Sequence, residues 1–208
     1  MPRFYPILDT ALLAARGLEV SIAAKALLDA GVAILQYRHK GSFHQEHFDD
    51  LRRLAEACRQ TGALLIVNDR ADFAVLLQGG VHLGQTDLPV RAARKVVGPN
   101  AVIGYSTHNE RQLRSGEEQP ADYLSIGPIF ETGSKENPDP VVGVAEMARL
   151  RKLTTKPLVA IGGIGIAQVR TVFEAGADSI AVISGLLTPA NSPASLRNRA
   201  EEWMAATS

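Results

Sequence analysis

Eight short apolar runs, each followed by a stretch of helical periodicity, predict an α/β protein folded as a single (β/α)8 TIM barrel over residues 1–208. Two features of the runs select this class. They are continuous rather than alternating, the pattern of parallel strands covered on both faces. Polar residues also gather where the runs end, the place from which barrel strands feed an active-site rim. At 208 residues the barrel would be compact. A doubly wound open sheet is the alternative, and it lacks the Gly-x-Gly-x-x-Gly turn expected after its first strand. A faint internal echo, Ala30-Gly31-Val32 against Gly176-Ala177-Asp178, suits a barrel.

The elements follow in order. Phe4 to Leu8 is the first run and breaks at Asp9. Residues 19–30 place Ile22, Ala26 and Leu27/Leu28 at helical spacing, and Gly31 closes that helix. Val32 to Gln36 is the second strand. From Gln45 to Gln60 a helix presents Phe48, Leu51, Leu54, Ala55 and Cys58 on one face, and Gly62 stops it. Leu64 to Val67 leads into a helix over Ala71–Leu77. Val81 to Leu83 precedes a helix over Pro89–Val97, and Val102 to Tyr105 one from about Glu110. Tyr123 to Ile126 enters a glycine- and proline-rich loop, Gly127 to Gly143, that resembles a mobile lid with Lys135 in its middle. A helix over residues 144–152 follows. Leu158 to Ile161 precedes Gly162-Gly163 and a helix over Ala167–Ala175, and Ser179 to Ile183 leads into a terminal helix whose Trp203 packs on the body.

Composition excludes several classes. Hydrophobic residues are 46% and charged residues 21%, an ordinary globular balance. Basic and acidic residues number 22 each, so neither a nucleic-acid surface nor an anionic-membrane surface is expected, and no partner of either kind. The single cysteine, Cys58, reads as a small buried side chain and suits a reducing, cytoplasmic setting. No run approaches the ~18 apolar residues of a membrane span.

The strand ends carry the chemistry. They supply Gln36, Arg38 and Lys40 from the second strand, Asn68 and Asp69 from the third, and His82, Gln85 and Asp87 from the fourth. The fifth gives Ser106, Thr107 and His108; the loop after the sixth gives Thr132, Ser134 and Lys135. Arg38, Lys40 and Lys135, with Asn68, Thr132 and Ser134 as neutral donors, suit a polyanion such as pyrophosphate. Asp69 and Asp87 are hard oxygen ligands of the kind that hold Mg2+ beside substrate phosphates. Taken singly, each reads equally as a helix N-cap; their shared location with three cations favours ligands. Gly162-Gly163 after the seventh strand and Ile183-Ser184-Gly185 after the eighth form the pair of loops where barrels bind phosphate, although one Gly-Gly alone would be read as a tight turn. His82 reads as a hydrogen-bonded rim or core residue. His108 is weighed evenly between a ligand contact and a helix start, and His39, His44 and His47 look solvated.

Seven segments in order resemble the thiamine-phosphate synthase family: Gln-Tyr-Arg-His-Lys at 36–40, Asn-Asp-Arg at 68–70, Val-His-Leu-Gly-Gln-Thr-Asp at 81–87, Gly-Tyr-Ser-Thr-His at 104–108, Gly-Pro-Ile-Phe-x-Thr-x-Ser-Lys at 127–135, Ala-Ile-Gly-Gly-Ile at 160–164 and Val-Ile-Ser at 182–184. Each is a weak signal, and the resemblance lies in their order at successive strand ends, from about Tyr5 to Leu187. It implies an enzyme that condenses hydroxymethylpyrimidine diphosphate with hydroxyethylthiazole phosphate and releases pyrophosphate by a dissociative, Mg2+-assisted path. It further implies that Gln36, Tyr37, Arg38, His39, Lys40, Asn68, Ser106 and Lys135 serve the pyrimidine diphosphate, with Arg38, Lys40, Ser106 and Lys135 catalytic. Asp69 and Asp87 would bind Mg2+. Thr132, Gly133 and Ser134 would meet the thiazole phosphate, and Gly163, Ile183 and Ser184 its phosphate end. By the same likeness a homodimer is expected.

Departures from the family pattern are His39, Thr86, Gly80 and Gly133-Ser134, none of which removes a charge assigned above. The rivals are a thiazole tautomerase on the same barrel, which would need no diphosphate clamp and would carry histidine in place of Ser106, and a phosphate-binding isomerase of another pathway. The non-enzyme alternative is a thiamine-precursor sensor that binds without turnover.

Overall fold

Every strand of this chain has apolar residues on both faces, so each must be covered on both. The computed structural model describes residues 1–133 and 139–208. Its strands are β1 (Phe4–Asp9), β2 (Ile34–Arg38), β3 (Leu64–Asn68), β4 (Gly80–Leu83), β5 (Ile103–Thr107), β6 (Tyr123–Ile126), β7 (Leu158–Ile161) and β8 (Ser179–Val182). They pair in parallel in sequence order, and β8 returns to β1 to close a barrel. This is the (β/α)8 architecture that the continuous runs predict.

Alternation sorts the strand residues into two layers. Tyr5, Ile7, Ile34, Ile66, Tyr123, Val159 and Ala181 fill the interior. Their neighbours, among them Leu8, Leu35, Tyr37, Leu65, Val67, Leu124 and Leu158, face outward against the helices. Burying one such aliphatic side chain contributes ~1.5–3 kcal/mol, so the outer layer supplies most of the driving force for closure.

The helices are α1 (Thr10–Ala14), α2 (Val20–Asp29), α3 (Gln45–Thr61), α4 (Ala71–Leu76), α5 (Val90–Val97), α6 (Glu110–Glu117), α7 (Val144–Arg151), α8 (Val169–Glu174) and α9 (Pro193–Thr207). Their ends are chemically marked. Asn109 caps α6 by accepting from the Gln112 N–H, and Ser192 caps α9 by accepting from Ser195. Gly62 ends α3 in the left-handed region at φ 74°.

Some expectations shift. The five-residue α1 is too short to show a period, and Asp9 caps it by accepting from the Leu12 N–H. On α2, Ile22 is exposed, and the buried face is made by Val20, Ala23, Ala24, Ala26, Leu27 and Leu28 instead. The helix expected from Ala167 opens as a 3-10 turn, Ile166–Gln168, before α8 begins. Cys58 is buried on α3, and burial pushes its thiol up to about 11, which leaves it inert. Among the described residues no helix is long and apolar enough to cross a membrane.

Helix α9 fastens the seam of the barrel. Trp203 is fully buried, stacks on Phe4 of β1 with ring centroids 5.8 Å apart, and donates its Nε1–H to the Gly185 carbonyl at 3.1 Å. It thus touches the strand that opens the barrel and the loop that follows the strand that closes it. Trp203→Ala should destabilise the fold by about 3–5 kcal/mol, read as a loss of unfolding free energy in a urea titration. A loss below ~1 kcal/mol would show that the seam does not depend on it.

Candidate active site

Closure brings the C-terminal ends of all eight strands to one rim, and a cavity of about 510 Å3 opens there. Its size is that of a small-ligand pocket. Gln36, Arg38, Lys40, Asn68, Asp69, Asp87, Ser106, Thr132, Gly163, Ile183 and Ser184 all line it. Tyr37, His39 and Gly133 do not. The alternation of β2 turns Gln36 and Arg38 inward and Tyr37 outward, where its ring meets Phe43 at 6.3 Å. His39 is held away from the cavity by hydrogen bonds to Thr10 Oγ1 and the Ser42 carbonyl, and its ring lies 3.9 Å from that of His47. Ser134 and Lys135 lie outside the described residues, as does the middle of the loop read as a lid.

One side of the cavity is charged. Arg38 is paired with Asp9, and Lys40 Nζ lies 2.6 Å from Asp69 Oδ2. Asp69 sits at φ 64°, a left-handed conformation that aspartate tolerates better than most residues, and this backbone turn aims its carboxylate along the rim. Burial and the hydrogen-bonding Asp87 carboxyl hold Asp69 above the usual carboxylate range, and Lys40 opposes them without prevailing. Asp87 accepts from the Gly84 N–H at 2.6 Å. Neither aspartate caps a helix: the residue before α4 is Arg70 and that before α5 is Pro89. The buried amide nitrogen of Asn68 has no hydrogen-bond partner among the described residues, a donor facing the same wall.

This donor set fits a small divalent cation. Two carboxylates crowd together, and a cation between them would offset the burial and the Asp87 contact that raise Asp69. Among the described residues no group of three or more His, Cys, Asp or Glu could hold a metal. Two carboxylates are what Mg2+ takes from a protein when phosphates supply the remaining ligands.

The opposite side is built from backbone. In an eight-stranded ring β3 faces β7 and β4 faces β8. Gly162 and Gly163 have φ of 98° and 67°, and a Cβ on Gly163 would stand 2.3 Å from the Glu131 carbonyl oxygen. Glycine is therefore required both for the turn and for the close approach of the 127–131 segment. A 3-10 turn, Ser184–Leu186, follows β8.

The histidines resolve into distinct roles. His82 bridges Tyr123 Oη and Ser106 Oγ, a hydrogen-bonded residue of the barrel interior as its sequence setting suggests. His108 lines the cavity and donates Nδ1–H to the Gly127 carbonyl at 2.6 Å, so it tethers the loop after β6. Sequence reasoning missed Tyr5 and Ser125 on the cavity wall, Tyr123 beneath it, and Asp9 as the partner of Arg38. The period-2 phase of Ile34-Leu35-Gln36-Tyr37-Arg38 was the signal that could have set Tyr37 aside. Tyr5 offered none, since it stands inside an apolar run.

Comparison with known proteins adds the following. The family model described as thiamine monophosphate synthase matches residues 4–186. A thiamine-phosphate synthase of Koribacter versatilis is 48% identical over 98% of this chain and 95% of its own. One from Desulfitobacterium hafniense is 36% identical over 96% of both. The solved thiamine phosphate pyrophosphorylase of Pyrococcus furiosus superposes with a TM-score of 0.83 at 30% identity, covering 99% of this chain and 95% of that one. A 3-hexulose-6-phosphate synthase, at 14% identity and TM-score 0.68, shares the fold alone.

The electrostatics of Asp69 make a prediction about stability. A carboxyl held above its unfolded value contributes stability only while protonated, and that contribution is lost as pH rises out of the carboxylate range. Asp69→Asn should therefore melt no lower than the parent in metal-free buffer at neutral pH, because the half-exposed Lys40 pair given up is worth at most ~1 kcal/mol. The comparison should turn in favour of the parent as pH falls through the carboxylate range. Thermal melts at the two pH values check this, and a variant clearly less stable at neutral pH would contradict it.

Proposed function

The chain belongs to the thiamine monophosphate synthase family, and from that premise we propose that it joins a pyrimidine diphosphate, 4-amino-5-hydroxymethyl-2-methylpyrimidine diphosphate, to hydroxyethylthiazole phosphate and releases pyrophosphate. The observation that carries this reading is the pairing of a charged wall with a glycine backbone wall in one cavity. Arg38, Lys40 and the Asn68 amide nitrogen, which has no partner among the described residues, stand beside the Asp69–Asp87 pair, and glycine backbone faces them across the barrel.

The reaction asks little proton chemistry of the protein. The C–O bond to the diphosphate breaks with its electron pair leaving on oxygen, and the thiazole nitrogen gives its lone pair to the resulting carbocation. Negative charge grows on the departing oxygens, so fixed cations stabilise the transition state more than the bound substrate. Arg38 is pre-aimed by Asp9 and Lys40 is held at the rim by Asp69, which spares both side chains reorganisation as the charge develops. Asn68 offers its amide N–H and Ser106 its hydroxyl to the same group, while Gln36 faces the pyrimidine. Asp69 and Asp87 would hold Mg2+, whose positive charge would neutralise the diphosphate when bound. Thr132, Gly163, Ile183 and Ser184 would position the thiazole phosphate, so that its nitrogen meets the cationic carbon in the closed cavity. No catalytic base is needed, consistent with His82 being engaged in the barrel interior.

The presence of Ser106, Lys40, Asp69 and Asp87 favours the synthase over the tautomerase, since an isomerase acting on the thiazole phosphate alone has no use for a diphosphate clamp.

The test is pyrophosphate release by purified protein given both substrates, with and without Mg2+. Release should depend on the metal and be accompanied by thiamine phosphate. Arg38→Ala and Asp87→Ala should each lower kcat by on the order of 10²–10³-fold. Tautomerisation or simple binding of the thiazole phosphate without release would replace this reading with one of its rivals.

A further inference from the structure

Along the inner wall of the cavity runs an unbroken line of hydrogen bonds that the reaction above does not consume. Gln36 Nε2 donates to Tyr5 Oη at 2.7 Å, and Tyr5 and Tyr123 hydroxyls meet at 2.9 Å. Tyr123 Oη lies 2.9 Å from His82 Nδ1, and His82 Nε2 lies 2.8 Å from Ser106 Oγ. The line begins and ends at residues of the cavity wall. Its middle members are almost fully buried, at 1% exposure for Tyr5, 1% for Tyr123 and 9% for His82.

The barrel is shaped to permit this contact. Gly104 of β5 is the register partner of both His82 on β4 and Tyr123 on β6. A Cβ at Gly104 would stand 2.1 Å from Tyr123 Cζ and 2.4 Å from His82 Nδ1. Only the missing side chain lets two strands that are not neighbours meet across the one between them.

We infer that Tyr5, Tyr123 and His82 are positioning residues that tie the orientation of the Gln36 amide to that of the Ser106 hydroxyl. Each hydroxyl has one proton to give, and a neutral imidazole has one N–H and one acceptor nitrogen. With Gln36 donating to Tyr5, a Tyr5 oxygen that also accepted from Tyr123 would strand its own buried O–H without an acceptor, so Tyr5 donates to Tyr123 and Tyr123 to His82 Nδ1. The imidazole proton then sits on Nε2 and points at Ser106 Oγ. Ser125 Oγ also donates to that oxygen, at 3.4 Å. The Ser106 proton is thereby left for the cavity, and so is the Gln36 carbonyl oxygen. Reversing the Tyr5 or the Tyr123 proton alone sets two donors or two bare acceptors against each other, and turning Tyr123 and His82 over together strands the Tyr5 proton in the barrel interior, so one arrangement is favoured along the whole line. Burial raises both phenols well above their ordinary range, so they remain protonated and the line carries orientation rather than charge.

The assignment of ligands rests on the proposed function: an acceptor at Gln36 suits the amino group of the pyrimidine, and a donor at Ser106 suits an oxygen of the leaving diphosphate. One line would set both ends of one substrate.

The test reads the line without substrate. Nitrogen-15 shifts of His82 in the labelled whole protein report which ring nitrogen carries the proton, and the parent should carry it on Nε2. Gln36→Glu places an acceptor-only carboxylate opposite Tyr5 and should move the proton to Nδ1. In the Tyr123→Phe background the same substitution should leave the imidazole unchanged. A parent protonated on Nδ1, an imidazole indifferent to Gln36→Glu, or a response that survives Tyr123→Phe would overturn the inference. A kinetic arm follows: Tyr123→Phe should lower kcat for pyrophosphate release by about tenfold or more and leave KM for the thiazole phosphate unchanged. A kcat close to the parent's, or a loss seen only in that KM, would also overturn it. A parent that releases no pyrophosphate overturns the functional reading and leaves the imidazole result standing.

Discussion

Barrel closure is the constraint on which the site depends. Residues from β2 to β4 and from β7 to β8 would lie at opposite edges of an open sheet, and only the pairing of β1 with β8 folds those edges onto one cavity. That seam is made by Phe4, Tyr5 and Pro6 in register with Ile180, Ala181 and Val182, with the Ile180 N–H donating to the Arg3 carbonyl. Trp203 braces it from outside. The same indole holds the Gly185 carbonyl, so the element that secures closure also fixes one end of the glycine loop after β8. Stability and site geometry therefore share a single brace.

Within that frame the charges of the rim are held in readiness. Arg38 and Lys40 each arrive with a carboxylate partner, which keeps cations in place beside a cavity without leaving them uncompensated. The arrangement is unequal. Arg38 and Asp9 are largely shielded and Asp9 also caps α1, a fixed structural pair, whereas Lys40 is half-exposed and its partner Asp69 is crowded by Asp87. A ligand bringing both negative charge and a divalent cation would relieve that crowding and give Lys40 a second anion to meet.

The barrel was legible because its signal is redundant: eight continuous apolar runs, each ending in polar residues, tolerate errors at any one element. The charged half of the cavity was legible for a related reason, since a residue at the end of an inward-facing strand position reaches the rim whatever the local detail. What the sequence hid depended on phase or on distance along the chain. Tyr37 sits between two cavity residues yet faces the helices, because neighbours on a strand point to opposite sides. His39 follows Arg38 directly but turns to Thr10. Asp9 lies 29 residues from Arg38, and Tyr5 lies 118 from Tyr123, separations that no local pattern encodes. Gly104 was read only as part of a motif, whereas its role is an absence of atoms between His82 and Tyr123.

The central claim is that one cavity holds two different anions at once, on opposite walls. The most direct measurement is a calorimetric titration of hydroxyethylthiazole phosphate into protein saturated with pyrophosphate and Mg2+. The account predicts binding at one equivalent with an affinity close to that in the absence of pyrophosphate, because the glycine loops and the charged strand ends do not overlap. Competitive displacement, with the affinity falling in proportion to pyrophosphate, would mean a single anion site and would contradict it.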